Sequence, residues 1–231
     1  MFAALTNSAR KARSAQAAPL ATGIVRLDRL LDGGFPRAAV TEILPAAEGR
    51  GEVEMILPAL AELGSACWIL PVLGSFEPFA LALEEAGIDL TAQLFLVPGS
   101  ARAAFRTAEK AAASGEAGAV VAWLPPLAPE EDERAMNRLA LAAELSGTCV
   151  FVYRPASMIC ARSPAKIRLQ LSPAGGIETR VRATLRRTFF DAVKAETMTL
   201  LPQDEIRAAA DAAGKPLGCT DSPALAAGFG I

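Results

Sequence analysis

The sequence predicts an α/β fold, a mostly parallel sheet flanked by helices with an antiparallel hairpin near its C-terminal end. Short, continuously apolar runs alternate with helix-like segments of about 10–15 residues, as in parallel sheets that are covered on both faces. The chain has 231 residues, of which 52% are hydrophobic, enough for one such core. Near the end, two segments with strand-like alternation flank a Gly-Gly pair, which predicts the hairpin.

The predicted elements are short and closely spaced. Strands are expected at residues 40–44, 66–70, 93–97, 117–124 and 148–154, and the hairpin strands at 166–171 and 177–185. Helices are expected at residues 53–63, 77–86, 100–114 and 129–145. The middle two of these helices end before a glycine, a frequent stop signal. We therefore predict one domain over residues 22–194, between a flexible N-terminal tail (1–21) and a partly disordered C-terminal tail (195–231).

Composition excludes several classes of chemistry. The chain has no histidine, which rules out Ser-His and Cys-His nucleophiles and histidine-ligated metals. Its four cysteines form no C-x-x-C pair, so neither a metal site nor a redox pair is expected. The net charge of −2 gives no global attraction to nucleic acid or membranes. No apolar run approaches about 18 residues, which predicts no membrane span and favours a cytoplasmic protein.

A glycine-containing turn, LPAAEGRGEVEMIL at residues 44–57, stands between the first predicted strand and helix, where phosphate-binding loops occur. A working loop reads G-x-x-x-x-G-K-[ST], because the lysine reaches the phosphates and the hydroxyl holds Mg²⁺. Here Gly51 takes the place of the second glycine, Glu52 that of the lysine and Val53 that of the hydroxyl residue, while Gly49 helps to keep the turn. A carboxylate about 4 Å from a phosphate charge is repelled by roughly 4 kcal/mol at an effective dielectric of about 20. We therefore predict a degenerate loop without a cofactor; nucleotide binding without hydrolysis, through Arg50, is the alternative.

The segment at residues 22–44, TGIVRLDRLLDGGFPRAAVTEIL, resembles the beginning of the RecA ATPase core. The matching residues are Thr22, Gly23, Leu27, Asp28, Leu31, Gly33, Gly34 and Pro36. Over about residues 22–187 the chain resembles the ImuA family, RecA-like accessory proteins of bacterial SOS mutagenesis. Residues 118–157 also resemble SulA, the damage-induced inhibitor of cell division. The resemblance implies a RecA-like (P-loop NTPase-type) fold.

The same resemblance locates further catalytic positions, which carry other residues here. A RecA-type core ends the strand after the loop with a carboxylate, and this chain has WILPV at residues 68–72. The magnesium-binding aspartate ends a later strand, where Ala122 or Trp123 stands in this sequence. The resemblance thus implies neither catalytic residues nor a metal site, and the chain is predicted not to be an enzyme.

The family implies a non-catalytic adaptor in DNA-damage-induced, error-prone translesion synthesis. Its implied partners are an ImuB-like homologue of Y-family polymerases and an error-prone DNA polymerase of the replicative type. RecA and a weak contact with DNA are further candidates. The alternative is a SulA-like inhibitor that binds the tubulin-like division protein.

Candidate binding residues lie near the C-terminal end of the predicted domain. They are Arg180, Arg182, Arg186 and Arg187, followed by Phe189 and Phe190. The arginines suit either a solvated, charge-guarded strand or a contact with DNA phosphates or an acidic partner. The phenylalanines suit either docking on a partner or anchoring of the hairpin.

Two charged features elsewhere are ambiguous. The acidic segment PEEDER at residues 129–134 is typical of a capped, exposed helix start rather than of a metal site. Arg154 follows the predicted strand at 148–154 and suits either a pair with a carboxylate or a contact with a partner. The sequence does not separate these alternatives for Arg154.

Overall fold

The computed structural model describes residues 18–46, 52–72, 80–175, 178–185 and 194–200. Within these ranges the strands are β1 (Val40–Pro45), β2 (Ala66–Ile69), β3 (Gln93–Leu96), β4 (Ala119–Trp123), β5 (Cys149–Tyr153), β6 (Ile167–Gly175), β7 (Glu178–Leu185) and β8 (Lys194–Leu200). The helices are α1 (Val25–Leu30), α2 (Leu57–Leu63), α3 (Ala80–Glu85), α4 (Ala101–Ser114) and α5 (Pro129–Ser146). Short 3₁₀ turns occupy Glu54–Ile56, Leu90–Ala92 and Ala156–Cys160.

The strands form one sheet in the order β3-β2-β4-β5-β1-β6-β7-β8. The six strands from β3 to β6 in this order run parallel to their neighbours. At the far side β7 pairs antiparallel with β6 and with β8. The predicted α/β class, with a parallel sheet flanked by helices, is confirmed.

The parallel strands are buried on both faces because helices cover both. Along β4, Val121 packs in the cluster with α1 and α2, whereas Val120 and Ala122 pack in the cluster with α4 and α5. The amphipathic helix α4 is capped by the hydroxyl of Ser100, which accepts a hydrogen bond from the Ala103 N–H. Such strands read as continuous apolar runs, which is why the sequence locates them.

Three features of the fold differ from what the sequence predicts: an additional helix, a later helix start and an additional strand. The sequence analysis contains no helix at α1, because six residues are too few to display helical periodicity. The helix expected at 53–63 begins instead with the turn Glu54–Ile56, and Pro58 in the first turn of α2 donates no hydrogen bond. The sheet also continues into β8, beyond the domain end predicted at residue 194. Edge pairing with β7 uses backbone groups, which leave little signal in the sequence.

Leu20 was assigned to the N-terminal tail, but it is fully buried and forms a two-hydrogen-bond bridge with Phe35. The ring of Phe35 packs edge-on against Phe151 of β5, with a centroid separation of 5.2 Å. The carboxylate of Asp28 accepts a hydrogen bond of 2.7 Å from the Thr22 N–H. Residues 20–35 therefore form a closed loop that is fastened to the sheet, and Thr22 and Asp28 have structural roles in it.

Gly34 permits the closest approach in this loop. Its φ is +128°, and a Cβ added there would lie 2.1 Å from the carbonyl oxygen of Leu20. The short distance follows from the bridge between Leu20 and Phe35, so only glycine fits without displacing the backbone.

We predict that Gly34→Ala lowers the free energy of unfolding by more than about 2 kcal/mol, because it adds a backbone clash to an unfavourable φ. Gly64→Ala is the matched control: Gly64 also has a positive φ, +78°, but no atom lies within 4 Å of the added Cβ. Its cost should be only about 1–2 kcal/mol. Urea unfolding measures both values, and equal losses would contradict the assigned role of Gly34.

Candidate functional site: the cavity at the strand ends

A cavity of about 650 Å³ opens at the carboxyl ends of β1, β2, β4 and β5. In open α/β sheets, ligands bind in the crevice outside the carboxyl ends of the strands. Most of the cavity wall is apolar, and four of its residues are prolines. These are Pro45, Pro71, Pro125 and Pro155. This cavity is the candidate site.

Glu52, the residue at the lysine position of the degenerate loop, lines this cavity and is 7% exposed. Val53, at the hydroxyl position, is half-buried and packs against the core instead. Gly49 and Gly51 lie outside the described residues. Glu52 therefore contributes to the wall of the cavity, at a position where a phosphate-binding loop carries a lysine.

Of the other positions that the resemblance implies, the ends of β2 and β4 also lie at the cavity. Trp123, at the end of β4, lines it, and Ala122 is turned to the opposite face of the sheet. Beyond the end of β2, Pro71 and Val72 contribute apolar wall. The part of the chain that the structure describes contains no group of three or more cysteine, aspartate or glutamate side chains arranged to hold a metal ion.

Four aromatic side chains stack across neighbouring strands and lead to the cavity. The ring of Trp68 lies 5.7 Å from that of Phe95 and 6.4 Å from that of Trp123, and Trp123 lies 4.6 Å from Tyr153, all between ring centroids. The Tyr153 hydroxyl donates a hydrogen bond of 2.8 Å to the backbone carbonyl of Glu52. Tyr153, the last of the four stacked rings, thus holds the backbone of Glu52 in place at the end of the degenerate loop.

Burial raises the pKa of Tyr153 well above its usual value, and the negative charges of Glu52 and Glu54 raise it further. A tyrosinate here would lose its hydrogen bond to the carbonyl and would face two carboxylates. The neutral form therefore stabilises the fold fully below the unfolded pKa of about 10. That contribution is lost as the pH rises toward and through the folded pKa.

We predict that Tyr153 ionises at a much higher pH in the native protein than in the urea-unfolded chain. Tyr153 is the single tyrosine of the sequence, so tyrosinate absorbance after a pH jump reports on it alone. Tyr153→Phe should remove the signal and flatten the fall in stability above about pH 10. Coincident native and unfolded titration curves would show that the hydroxyl is not held as described.

A buried group of charges lies on the other face of the sheet, under α4 and α5. The side chain of Arg154 is 0% exposed, and its Nη2 donates to Asp132 Oδ1 at 2.5 Å. Its Nη1 lies 3.5 Å from Glu42 Oε1 in β1, and its guanidinium carbon lies 5.7 Å from the ring centroid of Phe105. Arg154 thus pairs with buried carboxylates. Of its two interpretations, a pair with a carboxylate or a contact with a partner, the structure supports the first. Asp132, expected on an exposed helix start, is buried because it takes part in this pair.

Arg168 extends the group to β6. Its Nε donates to Glu42 Oε2 at 2.5 Å, across the parallel pairing in which the two residues lie opposite each other. Its remaining N–H groups donate to the carbonyls of Met158, Ile159 and Ala161. Two carboxylates and two guanidinium groups therefore balance, and they tie β1, β6, the start of α5 and the turn Ala156–Cys160 together.

Removing one partner from a buried ion pair leaves an uncompensated charge, so we predict that Arg154→Met lowers the free energy of unfolding by about 3–5 kcal/mol. The control is Arg102→Met. Arg102 Nε lies 2.7 Å from Glu131 Oε1, but its side chain is 70% exposed and the pair is screened by solvent, so the loss should be much smaller than at Arg154. Chemical denaturation of both variants measures the two free energies of unfolding. A small loss in Arg154→Met would refute the proposed contribution of the buried charges to stability.

The predicted C-terminal binding residues are only partly described. Arg180 and Arg182 occupy β7 positions opposite Ser172 and Gln170 of β6, and they alternate with the buried Val181. Arg186, Arg187, Phe189 and Phe190 lie outside the described residues.

Sequence reasoning missed Glu42, Arg168 and Tyr153. Glu42 interrupts an apolar run that becomes a central strand, and a buried charge there needs a counter-charge. That signal points to an arginine on a neighbouring strand, but Arg168 becomes a neighbour only once the strand order is known. Tyr153 reads as an ordinary core aromatic, since nothing local marks its bond to Glu52.

Neither the protein-family models nor the curated proteins contain a match to this chain. Among the described residues, no helix combines the length and the apolar character needed to cross a membrane.

Proposed function

We propose that this chain is a RecA-like domain that has lost ATP chemistry and acts as a non-catalytic adaptor in DNA-damage-induced, error-prone translesion synthesis. The observation that carries the loss of ATP chemistry is the wall of the cavity, in which Glu52 stands at the lysine position. Trp123 stands where the family places the magnesium-binding aspartate. An adaptor binds other proteins and needs neither group.

The arrangement around β1 supports the RecA-like identity. The degenerate loop joins β1 to α2 at the carboxyl end of a central parallel strand, which is where a phosphate loop works. The motif residues Thr22, Asp28 and Gly34 support a closed loop fastened to this sheet. These residues stabilise the domain, so they can persist after the loss of ATP chemistry.

The connection between β4 and α5 supports an adaptor rather than a filament-forming recombinase. Only residues 124–128 separate the two elements. Asp132 Oδ1 accepts a hydrogen bond of 3.2 Å from the Leu127 N–H and also binds Arg154, so this short connection is fixed on the buried charges. RecA carries long DNA-binding loops in this part of the fold, and the present chain has no length for them there.

The proposed partners are the ImuB-like polymerase homologue and the error-prone DNA polymerase. The basic positions of β7 and the segment that follows, from Arg180 to Phe190, remain the candidate surface for these partners or for a weak contact with DNA. RecA is a further candidate partner.

The test is genetic and biochemical. Deletion of the gene should lower the frequency of damage-induced mutations without lowering survival in the undamaged state, because an accessory protein of mutagenesis acts only after damage. The purified full chain should capture the ImuB-like homologue from a mixture of purified proteins. A copy of the unaltered gene serves as the control and should restore mutagenesis to the deletion strain.

An unchanged mutation frequency after deletion would overturn the adaptor proposal. Filamentous cells on overexpression, together with capture of the tubulin-like division protein, would favour the SulA-like alternative instead. These two outcomes are distinct, because one concerns mutagenesis and the other concerns division.

A further inference from the structure

The strands β6 and β7 carry apolar residues on one face and polar residues on the other. On β6, Leu169 and Leu171 are buried, whereas Gln170 and Ser172, which alternate with them, are half-buried. On β7, Val181 is buried in the same core cluster as the two leucines. Successive residues of a strand lie on opposite faces of a sheet, so the positions that alternate with these buried residues share the other face.

The register of the three strands aligns these positions into one patch, which we call the polar face. Arg182 of β7 lies opposite Gln170 of β6 and opposite Thr197 of β8, and the neighbouring positions follow the same alignment. The patch measures about 10 Å across the strands and about 14 Å along them. The positions of the polar face are Arg168, Gln170, Ser172, Arg180, Arg182, Thr184, Ala195, Thr197 and Thr199.

The polar face lies on the side of the sheet that α4 and α5 cover elsewhere. Glu42 of β1 shares this side with Val40, which packs in the cluster of α4 and α5, and Glu42 lies opposite Arg168 in the register. In that cluster the two helices pack on β1, β2, β4 and β5, and the sheet continues from β1 to β6, β7 and β8. The polar face is therefore the continuation of this side past the two helices.

The charged positions of the polar face have one sign. Three of its nine positions are arginine and none is an acid. Arg168 donates to the buried carboxylate of Glu42 and to backbone carbonyls. Arg180 and Arg182 are therefore the positions that give the polar face its positive charge.

The acidic residues of β7 and β8 are placed away from these arginines. Glu196 of β8 lies opposite Ala183, whose position belongs to the apolar face. Glu178 stands at the end of β7 opposite Gly175, beyond the register shift in β6. The alternation thus separates the acids from the arginines within two short strands.

This composition suits the phosphate backbone of a nucleic acid better than the surface of a protein. Arginine, serine, threonine and glutamine are among the residues that bind phosphate oxygens in protein–nucleic acid complexes. Protein interfaces depend on buried aromatic and aliphatic anchors, and no position of the polar face carries an apolar residue larger than Ala195. A flat face three strands wide can follow a single strand, whereas a rigid, convex duplex touches it at fewer phosphates.

We propose that the polar face binds the phosphate backbone of single-stranded DNA, with Arg180 and Arg182 as the cationic positions and the hydroxyl residues of β6 and β8 beside them. The polar face has no aromatic residue for base stacking, so binding is independent of sequence and strongly dependent on salt. The proposal rests on the proposed function only for the choice of DNA as the nucleic acid; the phosphate chemistry stands without it.

The test uses the purified full chain and fluorescein-labelled oligothymidine of about 30 nucleotides, longer than the usual binding site of one domain. Fluorescence anisotropy at several salt concentrations gives the dissociation constant. The logarithm of the affinity should fall with the logarithm of the salt concentration with a slope of about −1.4, because two neutralised phosphates contribute about −0.7 each in single strands.

Two double variants with equal loss of charge locate the site. Arg180→Gln with Arg182→Gln should weaken binding at least about tenfold at about 50 mM salt and bring the slope close to zero. The matched control is Arg26→Gln with Arg29→Gln. Both residues are exposed on α1, which packs on the opposite side of the sheet, so the affinity should stay within about twofold of the parent. Circular dichroism and urea unfolding verify that each variant is folded.

A gain of affinity tests the same location without removing a native charge. Gln170→Lys places a further cation on β6 opposite Arg182. Binding should become tighter at low salt, and the slope should steepen to about −2.1, since one more phosphate is neutralised.

Equal losses in the two double variants would overturn the proposal, because net charge alone would then explain binding. Tighter binding of a duplex of the same length would overturn the assignment to single strands. Displacement of the oligonucleotide by poly-L-glutamate at equal charge concentration would overturn it in favour of an acidic polypeptide.

The outcome is separable from that of the proposed function. If the oligonucleotide does not bind while the full chain still captures the ImuB-like homologue, the assignment of the polar face fails and the adaptor function stands. If the oligonucleotide binds as predicted but deletion of the gene leaves mutagenesis unchanged, the polar face stands and the adaptor function fails.

Discussion

Arg154 follows β5 directly, and its fully buried guanidinium is held by Asp132 on the face of the sheet that α4 and α5 cover. Glu42 lies between Arg154 and Arg168, so a balanced set of four charges joins the central strand β1 to its neighbours. Buried carboxylates and guanidinium groups are tolerated only while every partner is present. The set links β1, β5 and β6 with the start of α5 and the turn after β5.

The same arrangement gives the cavity its character. The guanidinium of Arg154 pairs with buried carboxylates on the opposite face of the sheet. Its side chain is fully buried, so Arg154 exposes no cation at the strand ends. Glu52 lines the cavity at these strand ends, together with four prolines that supply no N–H. Tyr153 connects Glu52 with Trp123, because its hydroxyl donates a hydrogen bond to the Glu52 carbonyl and its ring stacks on that of Trp123. Structural and electrostatic constraints therefore act together to make the site unlike a phosphate site.

Much of the sheet could be predicted from the sequence because parallel strands buried on both faces are continuous apolar runs. The residues of the site could be predicted in part, since Glu52 and Trp123, which the sequence analysis named, both line the cavity. The buried charges could not be predicted. Glu42 and Arg168 are 126 residues apart in sequence, and they meet only because β1 and β6 are neighbours. The short helix α1 and the edge strand β8 were missed because six helical residues and a backbone-paired edge leave little periodic signal.

The composition of the cavity wall, with Glu52 and four prolines, predicts that this site does not bind a nucleotide. Calorimetric titration of the purified full chain with ATP and Mg²⁺ tests it most directly, with the hydrolysis of ATP followed in the same sample. The account predicts no saturable heat of binding and no release of phosphate above the rate in buffer. Saturable binding of ATP that changes when Glu52 is replaced by alanine would contradict it.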